Sequence, residues 1–189
     1  MKTFIVGLVV LALASAAIAA PISTVSVDSY SGRLGSTWDA PKSIDGDTGT
    51  FWYSGLSAPA WIVYAFDQAY EIGDVSITMD SGNFRKLATA GVSVSTDNVT
   101  FTALGDFAID IADGAVTTLD LDGVMAQYVR IDGVEAFYSN WNPQYATLAT
   151  ASDGKFAISY AEIAFDAIPE PATLSLLALG ALGLIRRRR

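Results

Sequence analysis

The sequence predicts an all-β fold, an antiparallel β-sandwich of the jelly-roll type. Two observations carry that expectation. Short runs alternate apolar and polar side chains with a period of two, as in Val75-Ser76-Ile77-Thr78-Met79 and Val92-Ser93-Val94-Ser95, the pattern of half-buried strands. Asp-Gly pairs at 45–46, 113–114, 122–123, 132–133 and 153–154 punctuate these runs, and both residue types tolerate the positive φ of tight turns. About eight short strands separated by such turn signals are the mark of a sandwich or jelly roll.

Taken in order, the chain of 189 residues opens on Lys2, an apolar run from Phe4 to Leu13 and then small residues. Ala17-Ile18-Ala19 fits a small-x-small cleavage site, so residues 1–19 are expected to be a signal peptide and the mature chain to start near Ala20. A membrane helix is the alternative; the run is short for one and no polar stop follows it. Ser29 to Ala40 reads as a long loop. The stretch Lys42-Ser43-Ile44-Asp45-Gly46-Asp47-Thr48-Gly49-Thr50-Phe51-Trp52 then puts Asp45, Asp47 and Thr50 close together, with Gly46 and Gly49 letting carbonyls curl toward one point. Oxygen ligands of that kind suit a hard cation, Ca²⁺ above all. Asp45-Gly46 alone reads as well as a plain turn.

Trp61-Ile62-Val63-Tyr64-Ala65-Phe66 is a continuous apolar run and so a deeply buried strand. Val75–Met79 follows as the next strand, then a loop from Ser81 to Leu87 and a strand at Val92–Ser95. Further strands are expected at Val99–Leu104, Val116–Leu121, Tyr128–Ile131 and Ala157–Phe165. Between the last two lies a long loop, Glu135 to Lys155, rich in aromatic and polar residues (Phe137, Tyr138, Asn140, Trp141, Asn142, Tyr145). Loops of that length inside a compact domain are commonly functional. The tail is Pro169-Glu170-Pro171, an apolar stretch that predicts a short transmembrane helix at 172–185, and four arginines that the positive-inside rule keeps cytoplasmic.

Between residues 20 and 171 six Lys and Arg face twenty Asp and Glu, a net charge of about −14. That argues against nucleic acid as a partner, since it needs a positive surface. It suits cations and neutral, hydroxyl-rich ligands. Cysteine and histidine are absent. There is no disulfide framework, no Cys/His or Ser/His nucleophile system, and no histidine for zinc. No GxxxxGK[ST] phosphate loop occurs either. The chain reads as non-catalytic.

Two resemblances follow from these residues. Pro169-Glu170-Pro171, the apolar stretch and the terminal arginines resemble the PEP-CTERM sorting signal of Gram-negative bacteria, covering residues 168–189. That family implies export through the Sec pathway, a precursor held in the inner membrane, and processing by an exosortase before release to the cell surface or extracellular matrix. Lys42–Trp52, Trp61–Phe66, Val92–Asp97 with Phe101, Gln127–Ile131 and Ser159–Ile163 resemble, in that order, the discoidin or coagulation factor type C domain, a galactose-binding-like jelly roll. The resemblance covers about Val25 to Phe165, and the domain it implies spans residues 20–167. It implies a structural Ca²⁺ held by Lys42, Asp45, Asp47, Thr50, Ala161 and Glu162, which would join the first loop to the last strand. The function expected from it is an exported binding module for glycan or exopolysaccharide. Candidate contacts on the long loops are Trp38, Asn83, Arg85, Tyr138, Asn140 and Trp141. Sugar-binding members often use a histidine, which this chain lacks. The alternative function is a surface structural or adhesion protein that binds other proteins.

Overall fold

In the computed structural model, residues 19–56, 58–82, 85–138, 147–150 and 156–169 are described. Residues 1–18 of the expected signal peptide, Asn83, Asn140, Trp141 and the expected helix at 172–185 lie outside them. The described residues form ten strands: β1 (Ala20–Pro21), β2 (Val25–Tyr30), β3 (Trp52–Tyr53), β4 (Trp61–Thr78), β5 (Arg85–Ser95), β6 (Thr102–Ala108), β7 (Val116–Tyr138), β8 (Thr147–Thr150), β9 (Ser159–Tyr160) and β10 (Glu162–Ala167). Two 3₁₀ turns, Ser36–Trp38 and Ala40–Ile44, lead into the acidic loop.

The main sheet runs β1-β10-β4-β7-β5-β6, with β2 added to β4 and β8 added to β7; β3 and β9 form a separate two-stranded ladder. Every pairing is antiparallel. The two long strands, β4 and β7, share one ladder from Trp61↔Asp132 to Thr78↔Val116, broken by register shifts between Ala65 and Tyr70 and between Ile72 and Asp74. Bulges of this kind bend a strand and increase its twist, which lets β4 serve β2 with its first half and β10 with its second.

The core is formed by apolar side chains of these strands and of the segment 156–158. Trp52, Tyr64, Phe156, Phe165, Ile62, Ile72, Ile77, Leu87, Ile131 and Ile158 are fully buried. Each fully buried aliphatic or Phe side chain among them contributes roughly 1.5–3 kcal/mol from the water it leaves.

The strand and turn expectations differ from the structure in six places. Trp61–Phe66 and Val75–Met79 are two halves of β4 rather than two strands, and Val116–Leu121 and Tyr128–Ile131 are halves of β7. Asp122-Gly123, with φ of 55° and 71°, forms a bulge inside β7 and not a chain reversal. Val99–Leu104 is not one strand. The Asp97 carboxylate accepts from the Val99 and Thr100 amides (2.9 and 2.8 Å) and holds a turn with Asn98 at φ 60°, so β6 starts at Thr102. Asp132-Gly133 is no turn either: it continues β7 under the segment 156–158. A Cβ on Gly133 would lie 2.8 Å from Ile158 Cγ2 and 3.1 Å from Phe156 Cζ, so the glycine serves close packing. Finally, Ala157–Phe165 splits at Ala161 into β9 and β10.

Candidate functional site

The acidic loop follows a turn that is pinned from below. Asp39 caps it by accepting from the Ala40 amide (2.9 Å) and is itself held by the Tyr30 hydroxyl (2.8 Å) and the Arg33 guanidinium. Burial pushes the Asp39 carboxyl up, but these donors outweigh it and hold it below the usual range. Deeper in, Ser43 Oγ donates to the Ala40 carbonyl (2.7 Å) and also meets the Tyr64 hydroxyl (2.7 Å), which meets the Tyr160 hydroxyl (2.7 Å). Ser43, Tyr64 and Tyr160 are all 0% exposed. A hydroxyl has one proton. Ser43 gives its proton to Ala40, so Tyr64 donates to Ser43 and Tyr160 to Tyr64. Burial raises both phenols far above their ordinary value, and they stay neutral.

Above this chain the oxygens converge. Thr50 Oγ1 lies 3.0 and 2.9 Å from the two Asp45 carboxylate oxygens, 3.1 Å from the Asp47 carbonyl and 3.5 Å from the Lys42 carbonyl. Glu162, the first residue of β10, reaches the same loop across 116 residues of sequence and accepts from the Gly46 amide at 3.2 Å. The Asp47 side chain turns away to accept from the Gly49 amide (2.9 Å), so Asp47 offers the site its carbonyl. Ala161 is buried immediately before Glu162.

This donor set fits a hard cation. One threonine proton can satisfy only one of four acceptor oxygens at a time. A mixture of carbonyl, hydroxyl and carboxylate oxygens is what Ca²⁺ takes. Among the described residues no three His, Cys, Asp or Glu side chains cluster as a metal group, so the set rests on carbonyls and a hydroxyl as much as on charge. Lys42 Nζ lies 3.1 Å from Asp45 Oδ2. For Asp45, burial raises the carboxyl, but the Asp47 amide, Thr50 and Lys42 bring it below the usual range. For Glu162, burial pushes the carboxyl up and the charges of Asp45 and Asp47 add to it.

A second group of side chains surrounds Tyr53 of β3. Trp38 stacks on Phe51 (centroids 6.2 Å apart, 24° between planes) and meets the edge of Tyr53 at 6.4 Å. Tyr53 neighbours Arg85: burial pushes its phenol up, and the guanidinium's charge and hydrogen bond pull it back. The Arg85 guanidinium lies over the Tyr138 ring at 5.0 Å. Its Nη1 is buried and has no hydrogen-bond partner among the described residues. Ser159 Oγ, also buried, lies 2.6 Å from the Arg85 carbonyl and 2.8 Å from Asp80 Oδ1.

The structure therefore brings three of the sequence-derived contacts, Trp38, Arg85 and Tyr138, into one row. It adds Tyr53, Asp80 and Ser159, which sequence reasoning missed. Tyr53 sat beside Trp52 in a motif read for its metal, and its alternation with Trp52 was the signal that the two side chains face different neighbours. No local pattern marks Asp80 or Ser159.

Residues 42–131 match the family of the NedA-like, galactose-binding domain, and residues 167–189 match the PEP-CTERM protein-sorting motif. Among solved structures the chain is similar to CBM32-3 from a family 31 glycoside hydrolase of Clostridium perfringens (TM-score 0.63, 17% identity, 79% of this chain and 94% of that one). It is also similar to the family 32 CBM of Clostridium perfringens NanJ in complex with galactose (TM-score 0.61, 17% identity, 79% and 99% covered). The C-terminal domain of a chitobiase from Bacteroides fragilis is a third (TM-score 0.62, 14% identity, 81% and 100% covered). At these identities the likeness is one of fold, and the expected all-β sandwich agrees with it.

Proposed function

We propose that this chain, in which residues 42–131 form a NedA-like, galactose-binding domain and residues 167–189 a PEP-CTERM sorting motif, is a non-catalytic module that binds a galactose-type glycan or exopolysaccharide through Arg85. The sorting motif implies an exported, exosortase-processed protein of the cell surface. The glycan reading draws on the family and on relatives such as the NanJ module, which was solved with galactose.

The observation that carries it is the Arg85 guanidinium. It is flanked by Tyr138 and Tyr53, and its Nη1 is a buried donor without a partner among the described residues. A buried donor left unmade is costly, and sugar hydroxyls are acceptors. Aromatic faces beside a polar contact suit a pyranose ring, whose C–H face is apolar. In this reading Trp38 and Tyr138 supply aromatic surface; the other expected contacts, Asn83, Asn140 and Trp141, lie outside the described residues. The cage of Lys42, Asp45, Asp47, Thr50, Ala161 and Glu162 holds a structural Ca²⁺ that fastens the first loop to β10.

The test is calorimetric titration of the purified full chain with galactose and with GalNAc-β-1,3-galactose. A hydrogen bond to a charged group is worth about 1.5–3 kcal/mol. Arg85→Ala should therefore weaken binding roughly 10- to 150-fold, at about 1.4 kcal/mol per tenfold. Unchanged affinity in Arg85→Ala refutes the reading, as does a wild-type chain that binds neither sugar.

A further inference from the structure

We propose that Ser159 is a positioning residue through which the oxygen cage sets the place of Arg85, so that cation binding and glycan binding reinforce each other. The inference rests on the reading of Arg85 as a glycan contact and of the cage as a cation site. What it adds is a mechanical link between them.

The link is the β3–β9 ladder, only two rungs long. Trp52 pairs with Tyr160 and Tyr53 with Ser159. The first rung belongs to the cage: Trp52 follows Thr50 by two residues, and Tyr160 precedes Glu162 by two. The second rung belongs to Arg85. Tyr53 is the aromatic neighbour of the guanidinium, and Ser159 Oγ sits 2.6 Å from the Arg85 carbonyl. Asp80, 2.8 Å from the same hydroxyl, comes from the loop that precedes β5. The ladder extends one step further, where the Ser54 amide donates to the Ile158 carbonyl (3.1 Å) and the Ile158 amide to Ser54 Oγ (3.0 Å).

Asp45 lies before β3 and Glu162 lies after β9, so the two carboxylates sit at the same end of the ladder, one on each strand. A cation that draws them together tightens both strands at that end. Because the ladder is short, the displacement passes to its other end, where Ser159 is, among the described residues, the side chain that bonds the Arg85 carbonyl. Packing on either side keeps it from dissipating: Trp52 and Tyr160 are 0% exposed and meet edge to face at 5.6 Å.

Reciprocity makes the proposal testable, since any factor by which calcium raises galactose affinity must equal the factor by which galactose raises calcium affinity. The full chain is titrated with galactose in calcium and in chelator, and with calcium in the presence and absence of galactose. The expected result is one common factor, about fivefold or more. In Ser159→Ala, calcium affinity without galactose stays within about twofold of wild type, and the coupling factor falls toward one. Ser159→Cys, which keeps the shape and a weak donor, recovers part of it. Equal galactose affinity with and without calcium overturns the link, and so does full coupling in Ser159→Ala. Hydrogen exchange on the same samples reads the ladder without sugar. Calcium should protect the cage peptides covering 42–52 and 156–162 together with the 85–90 peptide in wild type, and the cage peptides but not 85–90 in Ser159→Ala. Protection confined to 42–52 and 156–162 in wild type, with none at 85–90, overturns the proposal even where galactose binds. No galactose binding in either state overturns the glycan reading and, with it, the coupling.

Discussion

Tyr64→Phe, at the middle of the buried hydroxyl chain, has an effect whose size depends on the state of its neighbour. The substitution keeps the ring, which is packed against Phe165 at 5.3 Å, and removes only the oxygen. Ser43 keeps its bond to the Ala40 carbonyl. Tyr160 loses its acceptor, and its O–H is left buried at 0% exposure. The lost bond is worth about 1 kcal/mol and the orphaned donor about 1–3 more, so Tyr64→Phe should cost roughly 2–4 kcal/mol. For a domain of about 150 residues that lowers Tm by roughly 4–16 °C, at about 2–4 °C per kcal/mol. Tyr160→Phe removes the terminal donor and orphans nothing, and should cost about 1 kcal/mol. The double variant loses two bonds and strands no donor. It should cost only about 1–2 kcal/mol and so be more stable than Tyr64→Phe alone. Urea titrations of the four proteins give the cycle, provided m stays constant. A double variant whose cost equals or exceeds the sum of the singles would refute the proton order Tyr160 to Tyr64 to Ser43 to Ala40.

Calcium at about 100 times its Kd should stabilise the chain by about 2.7 kcal/mol, read as a rise in Tm that chelator reverses. Thr50→Val and Glu162→Gln should each abolish most of that rise, and an unchanged rise in both variants would dismiss the cage. Gly133→Ala places a methyl against Ile158 and Phe156 and should destabilise by about 1–3 kcal/mol, seen as a lower urea midpoint; a neutral result would mean that the segment 156–158 does not rest on β7. The Asp97 carboxyl is held below its ordinary value of 3.8 by the Thr100 and Val99 amides and by Ser95. Its folded pKa is depressed, so the stability it supplies is fully present above 3.8 and is lost as pH falls through the lower folded value. NMR titration should find Asp97 among the more acidic aspartates, and Asp97→Asn should flatten the acid limb of the stability profile. A midpoint at or above 3.8 would contradict the turn geometry.

The sequence by itself determined the fold class, the charge and the identity of the first loop. Those properties are local: a period of two, a count of acids, the string from Lys42 to Trp52. Even there the local reading stopped short. Nothing within Tyr64 to Ile77 says that two apolar runs form one bent strand, because a bulge is set by the partner strand as well as by the residues that bulge. Asp132-Gly133 looks like a turn for the same reason. Its glycine answers to Ile158 and Phe156, about 25 residues away, and not to its own backbone.

The site was decided by tertiary structure. Asp45 and Thr50 are neighbours in sequence, and their oxygens could be read as ligands. That Glu162 closes the same loop is a contact over 116 residues. Ser159 meets Arg85 over 74 residues and Tyr160 meets Tyr64 over 96, through single hydroxyls that leave no periodicity or composition behind them. A hydrogen bond between distant strands costs loop entropy that only the assembled core can offset, so its partners become visible once the core has brought them together.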